Sequence, residues 1–145
     1  MKSELSPSQP AKVRWMVVDD DDGIRDFMAA LLEMSGGVEV ARFSSATAVL
    51  AAFAADPGRF QFILTDFEMP GMNGLEFCRR VLALAPAVKV LLVTGNSSMS
   101  EADVCRLGFC GLVKKAFPAA ALQRAVEAAQ TINTFPKHEA ASRAA

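Results

Sequence analysis

The feature that most constrains this chain is an alternation, repeated five times between Val13 and Ile132, of a short apolar run and a stripe of apolar residues at helical spacing. Val13 to Val18 has the β-branched content of a strand buried on both faces. Ile24, Phe27, Met28, Leu31 and Leu32 then share one helical face, and Gly36-Gly37 stops that helix. Val38 to Phe43 alternates apolar and polar residues, as a strand with one drier face does. Ser44 or Ser45 can cap the next helix, which carries Val49, Leu50 and Phe53, and Asp56-Pro57-Gly58 is a turn. Phe60 to Thr65 reads as a buried strand, and Leu75, Cys78, Val81 and Leu82 as a helical stripe broken by Pro86. Val88 to Val93 is another strand, Glu101 to Leu107 a weaker helix and Gly111 to Val113 a short strand. Pro118 opens a last helix that runs to about Ile132.

Strands alternating with helices imply an α/β fold, a parallel five-stranded sheet covered on both faces. Right-handed crossovers leave few topologies, and function in such sheets sits beyond the carboxyl ends of the strands. The 145 residues suffice for one domain, and with 52% hydrophobic and 21% charged residues they can close a compact core. The expected domain is 13–132, flanked by tails, 1–12 and 133–145, that lack a sustained period. A net charge of −1 supplies no basic field, so neither nucleic acid nor a membrane surface is an expected direct partner. No apolar run is long enough to cross a bilayer, and the first residues lack the apolar core of a signal peptide. Cys78, Cys105 and Cys110 read as small buried hydrophobes in a reducing, cytoplasmic setting. The single histidine, His138, excludes histidine-based metal clusters.

The strand ends carry the chemistry. The first strand runs into Asp19-Asp20-Asp21-Asp22, the third into Asp66, the fourth into Thr94 and the fifth into Lys114-Lys115. Asp21 and Asp22 fit a solvated turn, with Asp22 as the cap of the first helix. Asp19, Asp20 and Asp66 follow buried strands, so the sheet would gather them at one edge. Carboxylates this close repel one another unless a cation is present, and Mg²⁺ suits a set of carboxylate, water and phosphate oxygens. A lysine and a hydroxyl at the same edge offer a phosphoryl group counter-charge and a donor. A carboxylate can itself be the nucleophile and form an acyl phosphate.

These residues resemble the receiver domains of two-component response regulators. Leu64-Thr65-Asp66-Phe67-Glu68-Met69-Pro70-Gly71-Met72-Asn73-Gly74 is similar to the family's acceptor loop. Val17-Val18-Asp19-Asp20 matches its acidic pair, Val93-Thr94-Gly95 its hydroxyl followed by a small residue, and Lys115 with Phe117 its lysine. The resemblance implies a flavodoxin-like strand order 2-1-3-4-5 and Asp66 as phosphoacceptor. Asp20 and Asp66 would hold Mg²⁺ by side chain, Glu68 by its backbone carbonyl, and Asp19 largely through water. Thr94 and Lys115 would contact the phosphoryl group, and Gly95 would leave the site open to a partner. The implied partners are a sensor histidine kinase or a histidine phosphotransfer protein and a downstream protein. The implied chemistry is self-phosphotransfer, not turnover as an enzyme. With only a short tail after Ile132, output is expected through a partner protein or by relay of the phosphoryl group. The responding face would include Ser97 to Leu107, with Met99 on it, Leu112 and the last helix, while Val104 and Leu107 read first as core.

Three features depart from the family pattern. Ala116 stands where a cis-proline normally follows the lysine, so that bond is expected to be trans. Lys114 is an alternative register to Lys115. Leu112 replaces the aromatic residue common in the fifth strand. Glu68 occupies a variable position that tunes the lifetime of the phosphorylated form. A haloacid-dehalogenase-type phosphatase using Asp20-x-Asp22 is a rival reading, but Gly23-Ile24 do not continue its motif. A flavin carrier would need a phosphate loop where four aspartates stand. A receiver fold that binds partners without phosphorylation is the third rival, and Ala116 is its support.

Overall fold

The computed structural model describes residues 13–34, 36–95, 98–115 and 118–134. Five strands, β1 (Val13–Val18), β2 (Val38–Phe43), β3 (Phe62–Asp66), β4 (Lys89–Thr94) and β5 (Gly111–Lys114), alternate with five helices. The helices are α1 (Asp22–Glu33), α2 (Ala46–Ala55), α3 (Gly74–Leu84), α4 (Glu101–Arg106) and α5 (Ala119–Thr134). All strand pairs are parallel, in the order β2-β1-β3-β4-β5. This is the flavodoxin-like strand order that the resemblance implies, and its switch point lies between β1 and β3.

The strands alternate their side chains between two cores. Met16, Val18, Ile63 and Leu92 face the side that holds Phe53 of α2, Phe77 of α3 and Val104 of α4. Trp15, Val17, Leu64 and Val93 face Met28 and Leu32 of α1 and Leu122 of α5. Both cores are closed to solvent, and β3 is buried along its whole length. Each large side chain so buried contributes about 1.5–3 kcal/mol of transfer free energy. Near the amino ends of the strands, Trp15 stacks on Phe62 with ring centroids 4.6 Å apart and planes 14° from parallel.

Several boundaries differ from the sequence reading, each for a local reason. Asp21, not Asp22, caps α1: its carboxylate accepts the Ile24 amide at 2.9 Å, and Asp22 is the first helical residue. Ser45, not Ser44, caps α2. β3 begins at Phe62 because Phe60 is buried beside the strand rather than within it. β4 and β5 each run one residue further, to Thr94 and Lys114. Pro118 precedes α5, and that helix extends to Thr134. Cys78 is buried as expected, but Cys110 is half-buried and Cys105 exposed. Val104 is fully buried, whereas Leu107 is 39% exposed and so is not a core residue. The tails 1–12 and 135–145, with His138, lie outside the described residues, as do Ser97, Ala116 with the bond before it, and Phe117.

Candidate functional site

Strand register places the polar strand ends side by side. Val18 pairs with Thr65, Asp66 with Val93, and Thr94 with Lys114. Asp19, Asp66 and Lys115 therefore emerge at one edge, next to the point where the strand order reverses. One carboxylate oxygen each from Asp19, Asp20 and Asp66 lie within 4.8 Å of one another. Asp19 is fully buried, Asp66 is 6% exposed and Asp20 is exposed.

Asp19, the first of the aspartates after β1, is held by local backbone and by Arg25. The Asp19 amide donates to the Phe43 carbonyl of β2 at 3.2 Å, and its Oδ1 accepts the Asp21 amide at 2.9 Å. The Asp19 carbonyl accepts from Arg25 Nη1 at 2.9 Å. Asp19 Oδ2 is buried and accepts no hydrogen bond; its counter-charge is the Lys115 ammonium 3.8 Å away. Burial pushes the Asp19 carboxyl above the usual carboxylate range, against the Asp21 amide and Lys115, which favour its charged form.

Lys115 lies closer to Asp66, with Nζ 3.1 Å from Oδ2. Its amide donates to the Thr94 carbonyl at 2.7 Å, which ties it to the end of β4. Partial burial alone would lower the Lys115 pKa, but the hydrogen bond and charge of Asp66, then Asp19 and Asp20, outweigh it and raise it. Lys114 is the last residue of β5 and is exposed. Thr94 is buried, 1% exposed.

The loop after Asp66 is shaped by its own sequence. Thr65 Oγ1 donates to the Asp66 carbonyl at 3.0 Å. Gly71 sits at φ +81°, a conformation glycine adopts readily. Asn73 caps α3 by accepting the Glu76 amide at 2.9 Å. The Gly74 amide donates to the Phe67 carbonyl at 2.5 Å, and a Cβ on Gly74 would stand 2.9 Å from Phe67 Cα. Only glycine permits this approach, so Asn73-Gly74 folds the loop back over the end of β3. Above Asp66 opens a hollow of about 450 Å³ lined by Asp66, Glu68, Gly95 and Lys115. A Cβ on Gly95 would meet nothing within 4 Å, so its small size leaves the rim low but is not forced by crowding. Met99 and Leu112 are partly buried against the core below α4.

The donor set is all oxygen, clustered, and includes one buried carboxylate oxygen without a hydrogen bond. That chemistry fits a hard divalent cation such as Mg²⁺. The sequence reading missed Arg25 and Thr65; it set Asn73-Gly74 at the opening of the third helix, and there Asn73 caps α3. The spacing of Asp22 and Arg25 could have suggested an ion pair, but nothing in the sequence points to the Asp19 carbonyl.

Comparison with known proteins follows the same lines. The family model for the response regulator receiver domain matches residues 15–127. The transcriptional regulatory protein FixJ of Azorhizobium caulinodans is 38% identical over 114 residues, which cover 77% of this chain and 52% of FixJ. This chain thus spans about half the length of that relative. The chemotaxis protein CheY of Pseudomonas aeruginosa is 30% identical over 115 residues, 77% of this chain and 91% of CheY. A crystal structure of a CheY-like receiver domain protein from Methanospirillum hungatei aligns with a TM-score of 0.74 at 26% identity, covering 88% of this chain and 99% of that one.

Proposed function

The chain belongs to the response regulator receiver domain family, and from that premise we propose that it is a phosphorylation switch with Asp66 as acceptor. The observation that carries this reading is the convergence of Asp19, Asp20 and Asp66 with the Lys115 ammonium beneath an open hollow. The donor is a phosphohistidine of a sensor kinase or of a histidine phosphotransfer protein. An Asp66 carboxylate oxygen attacks phosphorus, the P–N bond breaks, and the histidine nitrogen leaves with its electron pair and takes a proton. The product is an acyl phosphate on Asp66.

Asp20 and Asp66 would hold Mg²⁺ by side chain, with the Glu68 backbone carbonyl as a further ligand and Asp19 acting through water. When bound, the ion offsets the repulsion between the carboxylates and the incoming anion. Lys115 releases its contact with Asp66 Oδ2 and pairs with a phosphoryl oxygen, and the Thr94 hydroxyl donates to another. Gly95 leaves the approach open to the donor protein. The protein acts on itself, and slow hydrolysis resets it, with Glu68 beside the path of attacking water. Among the described residues no helix is long and apolar enough to cross a membrane; we place the switch in the cytoplasm, where such kinases phosphorylate their partners.

Phosphorylation adds about −1.5 to −2 charge next to Thr94 and Lys115. A conformation that brings both closer gains charge-assisted hydrogen bonds only in the phosphorylated state, so its population rises. The readout surface is then α4 and β5 with Met99 and Leu112, presented to a downstream protein or to the next carrier in a relay.

Two measurements test this. Acetyl phosphate with Mg²⁺ should add one phosphoryl group, seen by intact mass, and Asp66→Asn should take none. Full labelling of that variant would remove Asp66 from its role. Turnover of phosphate esters that Asp20→Asn abolishes would favour the phosphatase chemistry. Hydrogen exchange with and without beryllofluoride should change most within 94–116; changes confined to 66–74 would move the output face elsewhere.

A further inference from the structure

We propose that Arg25 is a positioning residue for the acidic pair: by tying the Asp19 carbonyl to the Asp22 carboxylate it fixes the peptide that joins Asp19 to Asp20, and so sets the direction of Asp20. The proposal rests on the reading of Asp20 as a cation ligand given above.

The guanidinium makes two contacts with different partners. Nη1 donates to the Asp19 carbonyl at 2.9 Å and Nη2 to Asp22 Oδ1 at 2.6 Å. The Arg25 side chain is only 15% exposed, while that of Asp22 is 84% exposed. An ordinary surface pair three residues apart on a helix would leave both partners in solvent and contribute little. Here the arginine is drawn inward to a main-chain oxygen at the mouth of the site, where a charged donor to a neutral acceptor makes a strong hydrogen bond.

That oxygen belongs to the Asp19–Asp20 peptide unit. The peptide is planar, so fixing its carbonyl also fixes the Asp20 amide and leaves Asp20 only its own φ and ψ. Asp19 is held at its amide by Phe43 and at Oδ1 by the Asp21 amide. Asp20 is exposed, and among the described residues its side chain makes no hydrogen bond. Its direction therefore depends on the backbone that carries it. Four consecutive aspartates would tend to spread apart, and Arg25 is the cation that reaches back into their run. It does so from the helix side, against a carbonyl and Asp22, whereas Lys115 is the cation set among the carboxylates themselves. Arg25 can thus hold the loop without occupying the space between Asp19, Asp20 and Asp66. A lysine cannot copy this, since a single ammonium lacks the planar fork that spans two acceptors.

The test compares wild type, Arg25→Gln and Arg25→Lys by calorimetric Mg²⁺ titration, amide exchange of the metal-free protein and thermal melting. Loss of a group that orients a ligand typically weakens metal binding about 10–100-fold. We expect Arg25→Gln to weaken Mg²⁺ at least about tenfold, and Arg25→Lys to recover only part of that loss. Without metal, the Asp21 and Ile24 amides of Arg25→Gln should exchange faster, while those of Met28 to Leu32 are unchanged. Unchanged Mg²⁺ affinity in Arg25→Gln, or wild-type affinity in Arg25→Lys, would overturn the positioning role; the latter would leave charge alone as the cause. A lower melting temperature without any change in affinity would reduce Arg25 to a structural residue. Failure of wild type itself to bind Mg²⁺ would instead strike the reading of the acidic pair.

Discussion

The two flanks of the site are built differently. On the β1–α1 flank a 12-residue helix, capped by Asp21, buries Met28, Ala29, Leu31 and Leu32, and its first turn is tethered to Asp19. On the β4–α4 flank a 6-residue helix, capped by a Ser100–Asp103 box, buries Val104 alone. A helix that short cannot stand on its own hydrogen bonds and depends on few packing contacts. On the proposed function the contrast divides the labour: the flank that would hold ligands still is anchored, and the flank that would report is marginal. Low local stability is what a segment needs if a new charge is to shift its population.

Thiols give the sharpest measure of that contrast. Cys105 on α4 is exposed; Cys78 on α3 is fully buried, with burial pushing its thiol up to about 11, and half-buried Cys110 is pushed up to about 12. At pH 8 a thiol reagent followed by mass should modify Cys105 first and Cys78 at least about 10³-fold more slowly, through global unfolding. Cys110 should fall between, through opening of the α4–β5 region. Equal protection of Cys78 and Cys110 would break the comparison.

Next in size is the cation effect. Mg²⁺ should raise the melting temperature of wild type by preferential binding to the folded state, and Asp20→Ala should lose that rise entirely while still folding. A rise that persists would put the ion elsewhere. Core truncation comes third: Leu32→Ala on the anchored flank should cost about 3 kcal/mol in denaturant melts, and Val104→Ala about half of that. A larger loss at Val104 would mean that α4 is not marginal.

The smallest effect concerns the α4 cap. Ser100→Ala should cost about 1 kcal/mol, seen as faster exchange of α4 amides before global unfolding. Hydrogen bonds from the Ser100 side chain and amide, aided by Arg106, hold the Asp103 carboxyl below its usual 3.8. A depressed acid stabilises the fold above its ordinary value and loses that contribution as pH falls through the folded value. Protection of the α4 amides, taken relative to their intrinsic exchange rate, should therefore weaken on acidification below about pH 3.8, and less so in Asp103→Asn.

The architecture was legible because β-branched runs report buried strands and alternation reports a strand with one drier face; β1 and β2, one of each kind, begin and end where the pattern says. The acidic edge was legible because strand ends in a parallel sheet share one side. What escaped had physical causes. Four like residues in a row give no pattern that says which one caps α1. Apolar runs report burial rather than pairing, so β3 was begun early at Phe60. α4 spans too few turns to define a face, so Leu107 and Cys105 were assigned inward. The Arg25 contact goes to a main-chain oxygen, which no side-chain pattern encodes.

The stacking of Trp15 on Phe62 has an optical consequence. The chain has one tryptophan and no tyrosine, so its ultraviolet emission comes almost wholly from an indole sealed in the core. Phe62 lies four residues before Asp66 on the same strand, which puts the stacked rings about 13 Å along the sheet from the Asp66 carboxylate. Emission should therefore be blue-shifted and insensitive to aqueous quenchers in the native protein, and shift red only on unfolding. The same signal should stay silent as the site fills, which separates the loss of the fold from the occupancy of its edge in a single cuvette.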